Sequence, residues 1–116
     1  WACGHSLGSA LSTLVVPDLL QRRPALPLQH YNFASPRLAS PAFASYYNGL
    51  AVPTYRLVND SDLVPEVPPA DSDRWFYQHL GLPVTFTASY GGVAANHSMG
   101  GCYLYALSNP DAPMKG

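Results

Sequence analysis

This chain has little charge. Only 11% of its 116 residues are Asp, Glu, Lys or Arg, with six basic residues against seven acidic ones. No basic run is present to follow a phosphate backbone, which argues against nucleic-acid binding. Cysteine is scarce as well. Cys3 and Cys102 make no disulfide framework, and both read as small core residues. There is no Cys-x-x-Cys, and His5, His30, His79 and His97 lack ligand spacing, so no metal site is expected. No apolar run reaches the 18 or so residues that a membrane-spanning helix needs. The chain begins inside a motif, at Trp1, so it cannot report on a leader segment.

What remains is apolar. Hydrophobic residues make up 47% of the chain, a composition that builds a globular core, and the length fits one domain or a piece of one. The most informative stretch is Gly4-His5-Ser6-Leu7-Gly8, which fits G-x-S-x-G. In that pattern a strand turns sharply into a helix with serine at the strained corner. Glycines flank the serine where strand and helix approach too closely for a Cβ. The next residue, Leu7, presents a backbone N–H to a developing oxyanion. The leading strand is short, only Trp1-Ala2-Cys3. Behind the motif, Leu11, Leu14 and Val15 form an apolar stripe at helical spacing, and Pro17 is expected to close or break that helix.

Proline-rich breaks separate the remaining apolar runs. Residues 17–27 read as a connector and 28–34 as a strand with Tyr31 and Phe33 on one face. Residues 41–50 read as a helix with Pro41 in its first turn. Residues 54–59 and 84–88 read as strands, 60–69 as a loop, and 98–108 as a final helix. This βα alternation predicts an α/β fold with a mostly parallel sheet and flanking helices, whose chemistry lies at the carboxyl ends of the strands.

A serine hydroxyl needs a base, and the base needs a carboxylate to fix its tautomer. In hydrolases with this elbow the chain order is serine, acid, histidine. Asp60, Asp62, Glu66, Asp71 and Asp73 lie in or near the loop after the 54–59 strand. Asp62 is preferred because Leu63 and Val64 anchor it and Pro65 stiffens the loop; Asp60 and Asp73 are its rivals. His97, just before the last helix, is the preferred base. His5 adjoins the serine across the turn, His30 begins a strand at the opposite end of the sheet, and His79 precedes a strand. Asn59-Asp60-Ser61 and Asn96-His97-Ser98 match the glycosylation pattern, but sugars there would crowd these residues, so they read as chance matches. Trp75, Phe76, Tyr77, Tyr46 and Tyr47 are core candidates first and acyl-pocket candidates second.

Four segments, in order, resemble the class 3 lipases, alpha/beta hydrolases that cleave acylglycerols. They are Gly4-His5-Ser6-Leu7-Gly8 with Ala10-Leu11, and Tyr31-Asn32-Phe33-Ala34-Ser35-Pro36-Arg37. The third is Tyr55-Arg56-Leu57-Val58-Asn59 with Asp62-Leu63-Val64-Pro65 and Pro68-Pro69. The fourth is His97-Ser98-Met99 with Tyr103-Leu104. Tyr77-Gln78-His79-Leu80-Gly81 resembles a family stretch whose histidine is not catalytic. Ser9 stands where the family usually has Gly.

The resemblance implies Ser6 as nucleophile, Asp62 as acid, His97 as base and the Leu7 N–H as one oxyanion donor. It implies a lipid ester substrate, peripheral contact with a lipid interface, and no cofactor. It also implies that residues 1–116 are the C-terminal portion of one alpha/beta-hydrolase domain. The N-terminal strands, the lid and the second oxyanion donor would then lie outside this stretch, leaving the stretch itself inactive. Two other readings stand beside it: a non-catalytic lipid-binding or interaction module, and a cutinase-like or feruloyl-type esterase.

Overall fold

A computed structural model describes residues 1–111. Residues 112–116 of the expected domain lie outside the described residues. Four strands, β1 (Ala2–His5), β2 (His30–Phe33), β3 (Thr54–Asn59) and β4 (Leu82–Phe86), form one sheet in the order β1-β2-β3-β4. Every pairing is parallel, with Ala2 opposite His30, His30 opposite Thr54 and Tyr55 opposite Leu82. Helices α1 (Leu7–Arg22) and α2 (Pro41–Gly49) connect the first three strands. A short helix α3 (Val93–His97), a wide π-type turn (Met99–Leu104) and α4 (Tyr105–Ser108) follow β4.

Strand alternation divides the core between the two faces. Val16, Leu28, Ala39, Ala44, Tyr47 and Leu80 cluster on one face, with α1 and α2. Ala34, Ala88, Cys102 and Tyr103 cluster on the other, against Phe33 and Phe86. Local chemistry places α2: Ser40 caps its start by accepting from the Phe43 N–H at 3.2 Å, and Pro41 occupies the first turn.

Several sequence expectations need correction. Helix α1 does not end at Pro17 but runs on to Arg22. One proline removes a single ladder donor. The turns beyond it are held by Leu19 and Leu20 packing on the core, by Asp18–Arg22 at 3.0 Å, and by the Arg23 N–H on the Leu19 carbonyl. The apolar stripe forms, yet Leu11, Leu14 and Val15 are exposed, and α1 buries Ser9, Thr13 and Val16 instead. The last strand begins at Leu82, and the final helical segment is split by the π-type turn. Cys102 is buried as expected, but Cys3 is exposed. Trp75, Phe76 and Tyr46 are exposed, whereas Tyr47 is core. No helix among the described residues is long and apolar enough to cross a membrane.

Beneath the sheet lies a polar cluster. His30 is fully buried, with Nε2 2.8 Å from Ser12 Oγ and Nδ1 2.6 Å from the Tyr47 hydroxyl. Thr54 donates to the Val52 carbonyl, so it accepts from Tyr47, and Tyr47 accepts from His30 Nδ1–H. The Tyr47 contact thus places a proton on His30 Nδ1. Burial lowers its pKa to about 4 against the hydrogen bond to Asn32. Burial also lowers His79 to about 4, helped by the Arg56 charge and opposed by the Pro65 carbonyl that its ring meets at 2.9 Å.

Both histidines bind a proton more readily in the unfolded chain, whose value is about 6.5. Their contribution to stability is therefore complete above that value and is lost as pH falls towards about 4. Melting temperature is expected to drop across this window, and His30→Gln should flatten the decline. A melting temperature independent of pH across the window would contradict this account.

Candidate active site

The site lies at the carboxyl ends of β1, β3 and β4, and its corner is Ser6. Ser6 follows β1 and precedes α1 with φ 57° and ψ −127°, a backbone region that costs a non-glycine residue about 1–3 kcal/mol. Surrounding bonds hold it there. The Ser6 N–H donates to the Phe33 carbonyl at 2.9 Å, and the Ser9 N–H donates to the Ser6 carbonyl at 2.9 Å. Gly4 is required, since a Cβ there would collide with the Gly8 carbonyl. Gly8 itself has open space where its Cβ would stand, contrary to the expectation that both flanking glycines are sterically required. Ser9 is fully buried, and its hydroxyl lies 2.6 Å from the Gly4 carbonyl and 2.9 Å from that of Phe33. Its side chain fits the crowded position and ties β1 to β2.

Three of the sequence-selected residues come together here. His97 Nε2 is 2.7 Å from Ser6 Oγ, and His97 Nδ1 is 2.8 Å from Asp62 Oδ2. The carboxylate only accepts, so Nδ1 carries the proton and Nε2 is left to accept from the serine hydroxyl. Asp62 is buried at 3% exposure, and its charge is met by three donors. These are His97, the Val64 N–H at 3.0 Å and the Tyr103 hydroxyl at 2.8 Å. Leu7 opens α1, so its amide is among the first-turn N–H groups that have no acceptor within the helix.

The rival residues are elsewhere. Asp60 is exposed and accepts from Thr87 at 3.2 Å, and Asp73 is exposed in the 70–78 loop. His30 lies under the opposite end of the sheet, and His79 braces the Pro65 carbonyl of the acid loop. His97 ends the short helix α3 rather than sitting in a loop.

Other contributors went unnoticed at the sequence level. Tyr103 is fully buried, accepts from the Asn59 N–H at 3.1 Å and donates to Asp62. Asn59 and Asn96, the two glycosylation-pattern asparagines, are buried connectors. Asn59 Nδ2 donates to the Ala88 and Asn96 carbonyls at 2.8 and 3.2 Å, and Asn96 Nδ2 donates to the Ser61 carbonyl at 3.0 Å. They join the acid loop to the segment bearing His97, and no sugar fits there in the folded chain. The one available signal was for Asn59, a polar residue at the end of an apolar strand.

A strained serine corner followed by a helix, on a parallel sheet with histidine and aspartate at its carboxyl end, is the arrangement of an alpha/beta hydrolase. Comparison with known proteins agrees. The family model for lipase (class 3) matches residues 1–72. A lipase from Rhizomucor miehei is 43% identical over 70 residues, which is 58% of this chain and 19% of that protein. Phospholipase A1-IIgamma from Arabidopsis thaliana is 30% identical over 130 aligned positions, covering 97% of this chain and 30% of that protein. A solved triacylglycerol lipase, described as having a catalytic centre formed by a serine protease triad, superimposes with a TM-score of 0.63. It is 36% identical and covers 74% of this chain and 32% of its own.

The chain belongs to the class 3 lipase family, a family of carboxylic ester hydrolases with the alpha/beta-hydrolase fold. It spans about a fifth of the length of the Rhizomucor miehei relative.

Proposed function

We propose that this chain carries the nucleophile, acid and base of a lipid ester hydrolase, as the C-terminal portion of one hydrolase domain. The observation that supports this most is the unbroken run of hydrogen bonds from Ser6 through His97 to Asp62, anchored at a strained corner.

Ser6 Oγ attacks the ester carbonyl carbon while His97 Nε2 takes its proton. Asp62 stabilises the imidazolium, and the Leu7 N–H faces the oxyanion. As the tetrahedral intermediate collapses, the C–O bond to the alcohol breaks and His97 protonates the leaving oxygen. Water, deprotonated by His97, then attacks the acyl-enzyme. The fatty acid departs, and Ser6 recovers its proton.

A lipid ester substrate is supported by analogy with the relatives, described as lipases and as a phospholipase A1. It is tested by offering the whole protein triacylglycerol, phospholipid, galactolipid and short soluble esters. Preference for long-chain acylglycerol or phospholipid supports the reading. Turnover of short soluble esters alone points to the esterase alternative.

The 116 residues alone are expected to show little or no turnover. Trp1, Leu11 and Val15 are exposed and line one open depression beside β1, and among the described residues β1 pairs on one side only. An uncovered apolar surface beside an open strand edge favours aggregation. The Leu7 N–H is the oxyanion donor assigned among the described residues, and each donor is worth about 10²–10³ in kcat. Lipid ester turnover by the purified chain at rates typical of an intact enzyme would overturn this expectation.

A further inference from the structure

His5, set aside as a base because it adjoins Ser6, has a different partner. Its Nε2 lies 2.7 Å from the backbone carbonyl oxygen of His97. A carbonyl only accepts, so His5 Nε2 carries the proton and donates it. The two imidazoles also lie against each other, with centroids 4.7 Å apart and planes tilted by 35°. The far side of the contact is the Tyr103 ring, met edge-on at 6.1 Å.

The carbonyl that His5 holds belongs to a helix end. His97 is the last residue of α3, which has only five residues and so little stability of its own. The N–H four positions on, that of Gly101, donates to Ser98 Oγ at 3.1 Å instead of continuing the ladder. The terminal carbonyl therefore takes its donor from the strand that leads into the elbow, 92 residues away in sequence.

We propose that His5 is a positioning residue for the reaction. It fixes the backbone of His97 to the strand that presents Ser6, so that His97 Nε2 stays within hydrogen-bond reach of Ser6 Oγ. This rests on the nucleophile and base roles proposed above. One side chain thus ties nucleophile and base together through the main chain, independently of the Asp62 contact at the other ring nitrogen. A shift of about 1 Å in such an arrangement costs on the order of 10² in rate.

The test uses the whole protein with two substitutions. His5→Gln retains an N–H donor, whereas His5→Phe retains a ring and removes the donor. Three quantities are measured: the rate of fluorophosphonate labelling of Ser6, kcat and KM on a soluble short-chain ester, and melting temperature. His5→Phe is expected to slow labelling and kcat by about 10–10²-fold with KM nearly unchanged, and His5→Gln to recover to within about threefold of wild type. If His5→Phe does not fold, His5→Asn, whose amide is too short to reach the carbonyl, provides the donor loss.

Equal losses for the Gln variant and the donor-free variant, or wild-type rates without the donor, would overturn the positioning role. Wild-type protein that folds but is not labelled would overturn the Ser6 reading, and this inference with it. Labelling that is intact and insensitive to His5 would overturn this inference alone.

Discussion

Ser6→Ala in the whole protein is expected to reduce ester hydrolysis and fluorophosphonate labelling to background, and His97→Ala to slow both by about 10⁶-fold. The size follows from how the two residues depend on each other. A serine hydroxyl is a poor nucleophile until a base takes its proton during attack. His97 Nε2, at 2.7 Å, is the group placed to do so. Removing either partner therefore removes the same step, and Ser6→Ala with His97→Ala should be hardly worse than either alone. His30→Gln is the useful contrast. His30 also meets a serine, Ser12, at 2.8 Å, but under the far end of the sheet. Its replacement should change stability and leave labelling at Ser6 intact. Labelling that survives Ser6→Ala, with the adduct mapped to another residue, would show that the elbow serine is not the nucleophile.

Asp62→Asn is expected to lower kcat by about 10⁴-fold with little change in KM. An amide in this position can offer N–H to His97 Nδ1, which favours the tautomer with the proton on Nε2 and blocks acceptance from Ser6. The Val64 N–H, which donates to the other oxygen, Oδ1, can still hold the asparagine in place, while the Tyr103 hydroxyl, which shares Oδ2 with His97, has to turn and accept from the new amide. The loss is therefore electronic and not a matter of folding, and melting temperature distinguishes the two. Asp60→Asn supplies the control. Asp60 is exposed and its carboxylate accepts from Thr87 Oγ1, away from His97, so its replacement should leave kcat within about twofold of wild type. If Asp60→Asn impairs turnover and Asp62→Asn does not, the acid is assigned to the wrong side of the loop.

The elbow was readable from five residues because its cause is local. A serine at φ 57° needs a small neighbour at Gly4, where a side chain would meet the Gly8 backbone. Such steric demands act over a few positions and leave a mark on adjacent letters. The parallel sheet was equally readable, since alternating strands and helices admit few other arrangements. So was the chain order of Ser6, Asp62 and His97, the three residues that meet at the strand ends.

Direction and partnership were not readable in this way. The spacing of Leu11, Leu14 and Val15 marks one face of α1 without saying which way it turns, and it turns outward. Close approach of α1 to β1 and β2 selects the small residues Ser9 and Thr13 for the inner face, as the Ser9 contacts to the Gly4 and Phe33 carbonyls show. Pro17 looked like a terminus because a helix loses a donor there, but packing by Leu19 and Leu20 outweighs that loss.

Residue types and chain order thus follow from the letters alone, because backbone sterics and helix or strand periodicity operate between near neighbours. The bond from His97 to Asp62, the seat of Tyr103 beneath the carboxylate, the service of Asn59 and Asn96 as connectors, and the bond from His5 to the His97 carbonyl belong to the folded chain. Each joins residues 29 to 92 positions apart. A hydrogen bond over that separation depends on distances that exist only once the sheet has brought its strand ends together.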